Sequence, residues 1–216
     1  MSKNLSASKI ITYNNCPMKY KFQYIDLIPV KVKTDALELG SKVHEYIATG
    51  ADPAGERLIV RFMVQKARAF LETMPPNPIM ETTHEDEKNP CRIYGKINGR
   101  PFTGIFDVLY LDPHHIAIDW KSGFYHSGRY NINYDIQAWV LNALYRYNFA
   151  TGLKSFVFKF LREGPVYDPS CIWDQTESDR VGDLVADLIG GIEAEEWQKK
   201  EGPLCNYCDC KKECRK

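Results

Sequence analysis

The chain has 216 residues, 44% hydrophobic and 26% charged, enough for one domain with a sizeable core and too ordinary in composition for intrinsic disorder. Its 28 basic and 28 acidic side chains cancel, so bulk charge alone makes no case for a nucleic-acid partner. No run approaches the roughly 20 apolar residues of a membrane span, and Met1 to Asn15 lacks the apolar stretch of a secretory signal, which predicts a cytoplasmic protein with no membrane partner.

Ser6 or Ser8 can cap a short helix that runs to Cys16, and Pro17 then starts the next turn. Beyond a loop around Pro29, Ala36–Thr49 reads as helix, with Leu39, Gly40, Val43, His44 and Ile47 on one face. A second helix over Ala54–Thr73 stops before Pro75-Pro76. Composition then shifts to Ile, Val, Phe and Tyr in Cys91–Asn98, Pro101–Leu111 and His115–Lys121, with the turn pairs Asn98-Gly99 and Asp112-Pro113 between them. These segments predict an antiparallel meander of three strands, preceded by a fourth near Met80–Glu87. Ile132–Ala150 is a long helix with Ile132, Ile136, Trp139, Val140, Ala143, Leu144 and Tyr147 spaced for one buried stripe. A strand over Lys154–Leu161, another through Ile172 and an amphipathic helix over Glu177–Lys199 complete the chain. The order predicts an α/β (α+β) fold in which helices flank a mixed central sheet, with residues 1–216 as a single domain.

Asp119-Trp120-Lys121 ends a strand, where alternation puts Asp119 and Lys121 on one face and Trp120 on the other. Asp107 lies in the neighbouring predicted strand, within Gly104-Ile105-Phe106-Asp107, where a buried acid is costly without a partner. Two acids brought together repel unless a divalent cation sits between them. Mg²⁺ and Mn²⁺ prefer oxygen ligands and keep several waters, one of which becomes acidic enough to attack a phosphodiester. Lys121 would orient that water or offset the charge that develops on phosphorus. An Asp-x-Lys pair on its own is common on protein surfaces, so this chemistry depends on Asp107 and Asp119 meeting at one ion.

Seven cysteines stand at 16, 91, 171, 205, 208, 210 and 214, an odd number that speaks against a disulfide scaffold. Cys205, Cys208 and Cys214 have the spacing C-x2-C-x5-C. Three thiolates need a fourth from elsewhere to complete a tetrahedral or cubane site, and Cys16 is the natural donor. Sulfur chemistry permits zinc as well as iron–sulfur. Joining position 16 to 205 closes nearly the whole chain, at an entropic cost of roughly 4–5 kcal/mol that the metal–thiolate bonds must offset. Loss of the metal is then expected to loosen both ends. Those ends are also basic: residues 1–50 hold seven Lys against four acids, and residues 199–216 hold six Lys or Arg against three. A phosphate-binding face is expected near them. Cys91 and Cys171 read as small buried hydrophobes in strands, and Cys210 has no assigned role.

Taken in order, Gly40-x-x-x-His44 on a helix, Gly104-x-x-Asp107, Asp119-x-Lys121 and Gln137 early in the next helix resemble the motif series of RecB-like PD-(D/E)XK nucleases. The likeness is strongest to the small CRISPR-associated and phage-encoded exonucleases of that group and spans about residues 5–215. It implies a restriction-endonuclease-like fold and a DNA exonuclease whose Mg²⁺ or Mn²⁺ is held by His44, Asp107, Asp119 and the Trp120 carbonyl. Lys121 would assist the attacking water, and Gln137 would position the lysine or contact DNA. The family often has Tyr four residues after that glutamine; this chain has Leu141, with Tyr145 or Tyr134 as substitutes. The cysteines resemble those of AddB-type and CRISPR-associated nucleases, which implies a [4Fe-4S] cluster on Cys16, Cys205, Cys208 and Cys214, with zinc as the alternative, joining residues 1–35 to 200–216. Single-stranded or end-frayed DNA is the implied substrate, with Phe124, Tyr125, Tyr130 and Tyr134 available to stack on unpaired bases. A homo-oligomer and partner proteins of recombination, repair or CRISPR adaptation are further implications. The alternative is a non-catalytic DNA-binding or scaffold subunit with a metal staple, which would have no need of the set Asp107, Asp119 and Lys121.

Overall fold

In the computed structural model, which describes residues 4–29, 35–81, 89–124, 131–162, 166–167 and 174–214, the Ser6 hydroxyl caps α1 (Ala7–Asn15) by accepting from the Lys9 amide. Pro17 opens the short α2 (Pro17–Tyr20), which runs on into a π-helical turn over Lys21–Ile25. The next two helices are α3 (Asp35–Thr49) and α4 (Leu58–Leu71). Leu39, Val43 and Ile47 on α3 recur at helical spacing and bury against Val60, Met63, Val64 and Ala67 of α4.

The predicted meander does not form as three continuous strands. The middle segment divides into β3 (Arg100–Ile105) and β4 (Val108–Tyr110), and each half serves a different sheet. With β2 (Arg92–Ile97), β3 makes a separate hairpin closed by Asn98 and Gly99, whose φ angles of 50° and 76° suit a two-residue turn. With β1 (Ile79–Met80) and β5 (Ile116–Lys121), β4 enters the main sheet. The break falls at Phe106-Asp107: the Phe106 amide bonds the Cys91 carbonyl beside the hairpin, and the Asp107 carbonyl accepts from the Glu81 amide beside the main sheet.

The long helix α5 (Asn131–Phe149) crosses from β5 to β6 (Ser155–Phe160), the parallel pair of a five-stranded sheet ordered β1-β4-β5-β6-β7, where β7 is Val166–Tyr167. α6 (Gln175–Glu193), a 3₁₀ turn over Pro203–Tyr207 and α7 (Lys211–Cys214) follow. A mixed sheet flanked by helices is therefore the architecture. One face of the sheet packs on α3 and α4 through Val108, Ile118 and Trp120; the other packs on α5 through Leu109, Ala117 and Phe158. Tyr147, expected in the buried stripe of α5, is 60% exposed, whereas Ala138, Leu141 and Tyr145 are buried, because α5 is covered by the hairpin, α1 and α6 as well as by the sheet. α6 also stops short of the predicted Lys199, since Glu195 takes a φ of 55° and turns the chain back toward α1. The predicted strand through Ile172 and the residue Cys171 lie outside the described residues.

Candidate active site

Strand register builds the site. Met80 pairs with Val108 and Val108 with Ile118; continued by one residue, the two registers set Glu81, Asp107 and Asp119 side by side across β1, β4 and β5. All three acids are buried, at 6%, 9% and 8% exposure. Three carboxylates in a row away from water need cations or protons to coexist.

α3 brings the first cation. A Cβ on Gly40 would stand 3.0 Å from the Ser122 hydroxyl, so glycine lets the helix lean on the end of β5. About one turn later, His44 Nε2 lies 3.1 Å from the Trp120 carbonyl oxygen, and Nδ1 lies 3.4 Å from Asp107 Oδ1. The motif Gly-x-x-x-His is thus a close approach followed by the side chain it delivers. Asp107 is fixed from its other oxygen, which accepts from the Trp120 amide at 2.6 Å.

Lys121 supplies the second cation, 2.6 Å from Asp119 Oδ2. Its ammonium also donates to Gln137 Oε1 at 3.0 Å, and Gln137 Nε2 donates to Asp119 Oδ1 at 2.5 Å, closing a triangle between β5 and α5. The rings of Tyr134 and Phe158 lie 5.6 and 5.0 Å from the same ammonium. Of the two tyrosines considered for the position of Leu141, Tyr134 therefore faces the lysine. Tyr145 instead bonds His115 Nδ1 at 2.8 Å, and Leu141 is buried, close to where a Cβ on Gly104 would lie.

His44, Asp107, Asp119, Trp120, Lys121 and Gln137 are brought together, but the predicted ion-holding set does not converge whole. Asp119 turns to Lys121 and Gln137, while the ligand atoms of His44, Glu81 and Asp107 lie within 4.8 Å of one another, the trio of that kind among the described residues. Glu81 was missed from sequence. Its signal was an acid directly after Met80 in the strand predicted near Met80–Glu87, legible only once register sets it against Asp107.

Electrostatics shows how these groups balance one another. Burial alone would lower the His44 imidazolium, yet Asp107, then Asp119 and the Trp120 carbonyl, raise it to about 9. Burial, reinforced by Asp107, lifts Glu81 to about 7. Burial also holds Asp119 above its ordinary value in spite of Lys121. At Asp107 burial works upward too, but the charge and hydrogen bond of His44 and the Trp120 amide outweigh it and keep this acid low. Below pH 7 both His44 and Glu81 carry protons that a divalent ion must displace. Mn²⁺ affinity is accordingly expected to tighten as pH rises from about 6 to 9, with net proton release seen by calorimetry in buffers of different ionisation enthalpy. Affinity independent of pH, without proton release, would remove His44 and Glu81 as ligands.

The sequence model of the PD-(D/E)XK nuclease superfamily matches residues 4–215. The chain belongs to that superfamily. Among solved structures it is similar to a protein from Eubacterium rectale named “Putative exonuclease”, at TM-score 0.61 and 15% identity over 95% of this chain and 87% of that one. It is also similar to SSO0001, at TM-score 0.57 and 14% identity over 98% and 85% of the two chains. At such identity both likenesses concern the fold. No curated protein sequence gave a match. PD-(D/E)XK nucleases use divalent metals, and an imidazole nitrogen with two carboxylate oxygens suits such an ion.

In this PD-(D/E)XK chain the cysteine positions also gather. Cys16, Cys205, Cys208, Cys210 and Cys214 line one cavity of about 920 Å³ together with Lys19, Lys199, Lys200 and Lys211. Burial and the neighbouring Cys16, Cys208 and Cys205 push the Cys214 thiol up, against Lys199. Cys210 is buried and hydrogen-bonded to Cys208, and burial first, then Cys208, raises it to about 11. Cys91 is the buried thiol expected, donating to the Ile79 carbonyl at 3.4 Å. Tyr125 and Tyr130 lie outside the described residues.

Proposed function

We propose that the chain is a Mg²⁺- or Mn²⁺-dependent deoxyribonuclease that cuts single-stranded or end-frayed DNA from an end, acting as one cytoplasmic domain in recombination, repair or CRISPR adaptation. The carrying observation is the row Glu81, Asp107 and Asp119 with Lys121 clamped beside it by Gln137. A scaffold subunit has no use for three buried acids in register. Nor does any helix among the described residues have the length and apolarity to cross a membrane.

His44, Glu81 and Asp107, with Asp119 and the Trp120 carbonyl adjacent, would hold the ion, which when bound supplies Lewis acidity toward the phosphate and a more acidic water. The remaining chemistry belongs to the protein. Asp119 and Gln137 fix the Lys121 ammonium from two sides, and the Tyr134 and Phe158 rings keep it from swinging into solvent. Held there, Lys121 offsets the negative charge that grows on the phosphoryl oxygens as the water oxygen bonds phosphorus and the bond to the leaving oxygen breaks.

The same proposal assigns Cys16, Cys205, Cys208 and Cys214 to a [4Fe-4S] cluster. Four lysines around the cavity suit the negative charge of a thiolate-bound cluster. Zinc is the alternative occupant, since sulfur ligands suit it as well.

The test is digestion of end-labelled single-stranded and duplex oligonucleotides with Mn²⁺ or with chelator, alongside iron and sulfide analysis of the same protein. Metal-dependent shortening from an end, faster on single strands, is expected. DNA left intact in Mn²⁺ would overturn the nuclease proposal, and zinc without iron would overturn the cluster while leaving the nuclease in place.

A further inference from the structure

We infer that Arg162 and Phe124 together hold the nucleotide next to the scissile phosphate, the guanidinium on its phosphodiester and the phenyl ring on its unpaired base. This rests on the nuclease reading and specifies what strand the site accepts.

Both residues stand just beyond the carboxyl ends of the parallel pair. Lys121 is in register with Phe160, and the Leu161 amide donates to the Lys121 carbonyl at 2.9 Å, which puts Arg162 one residue past the last bond beside the site. Phe124 follows Lys121 by three residues. Ligands of open α/β sheets collect at this edge, outside the carboxyl ends of the strands. There the Arg162 guanidinium carbon lies 5.1 Å from the centroid of the Phe124 ring.

Among the described residues, the guanidinium's neighbour is this ring rather than an acid. Arg100 pairs with Glu193 and Arg180 with Glu177, but no acid pairs with Arg162 among the described residues. Its Nε is buried, whereas its terminal guanidinium nitrogens are not among the buried unpartnered atoms of the described residues, so they are the ones left for a ligand. A phosphate oxygen is the acceptor that guanidinium geometry matches best. Phe124 is 48% exposed, while Phe156, Phe158 and Phe160 on the adjoining strand are fully buried. An exposed ring held against a guanidinium is a stacking platform for a nucleobase. Such a platform receives a base only when that base has left its duplex partner, so the pair favours single strands at the step that seats the substrate.

The experiment measures binding of a short labelled oligothymidylate by fluorescence anisotropy, with Ca²⁺ replacing Mn²⁺ and salt varied, for wild type and for Arg162→Gln, Arg162→Lys, Phe124→Ala and Phe124→Leu. Arg162→Gln is expected to weaken binding roughly tenfold and to lower the salt slope by about one. Arg162→Lys should restore the slope but not the full affinity. Phe124→Ala and Phe124→Leu should each weaken single-strand binding by roughly tenfold at unchanged slope and leave duplex binding nearly unaltered. Leucine keeps the apolar volume, so a matching loss separates stacking from packing, and Arg162→Lys serves if Arg162→Gln fails to fold. Wild-type affinity and slope in the Arg162 variants, or wild-type single-strand binding by Phe124→Leu, would overturn the inference while Mn²⁺-dependent cutting by wild type keeps the nuclease reading. A wild-type protein that neither binds nor cuts DNA sinks both.

Discussion

Lys121→Ala is expected to lower DNA cleavage by roughly a hundred- to a thousandfold, with most of the loss in kcat. The ammonium lies 2.6 Å from Asp119 and 3.0 Å from Gln137, on the same face of β5 as Asp119 and at the end of the row of acids. Alanine removes the ammonium proposed to meet charge developing on phosphorus and leaves the other groups standing. His44, Glu81 and Asp107 do not depend on Lys121 for their positions, so Mn²⁺ should still bind. Asp119 would lose its ion pair but keep the hydrogen bond from Gln137, and burial already raises it above its ordinary value. The fold should survive, as checked by near-ultraviolet circular dichroism and a thermal melt. Digestion by the variant at the wild-type rate would mean that the cutting arises elsewhere.

The second large effect concerns stability. Trp197→Ala is expected to cost roughly 3 kcal/mol and to lower Tm by roughly 10 °C. Trp197 stacks on Tyr20, with ring centroids 5.9 Å apart and planes 10° apart, and meets Tyr13 edge-on at 6.1 Å. Around this stack the Tyr13 hydroxyl donates to the Glu196 carbonyl at 2.9 Å, the Met18 amide to the Gln198 carbonyl at 3.3 Å and the Lys200 ammonium to the Asn14 carbonyl at 2.8 Å. The two ends of the chain are therefore held together by an aromatic clasp. If the cysteines hold the proposed metal, its loss is expected to loosen the ends less than their spacing alone suggests. Trp197→Phe, which keeps the stacked ring, should recover most of the loss. A Tm shift in Trp197→Ala smaller than about 2 °C would mean that the clasp contributes little.

What sequence could show, and what it could not, divides along the range of the contacts involved. Ser6 as cap, Pro17 as helix start, the Asn98-Gly99 turn and the apolar rows of α3 and α5 are local signals, and the elements appeared close to where those signals put them. The division of the segment 101–111 was invisible because Phe106 and Val108 look equally at home in one long strand; only the partners chosen by Cys91 and Glu81 separate them. Glu81 went unread for the same reason, since an acid at a strand end acquires meaning from the residue across the ladder. Gln137 was placed by resemblance, and its two hydrogen bonds give that position a physical sense. The Trp197 clasp had no sequence signature at all: it depends on the turn at Glu195, where a left-handed residue interrupts an otherwise helical pattern.

Because Phe106 answers to the hairpin and Asp107 to the main sheet, the central carboxylate rides on a joint between two sheets that share one core through α5. Its position is the resultant of how the hairpin beds on α5 and how β4 sits between β1 and β5. Repacking a small ribbon remote from the row of acids can thus shift the central carboxylate by fractions of an ångström without substituting any acid of the row.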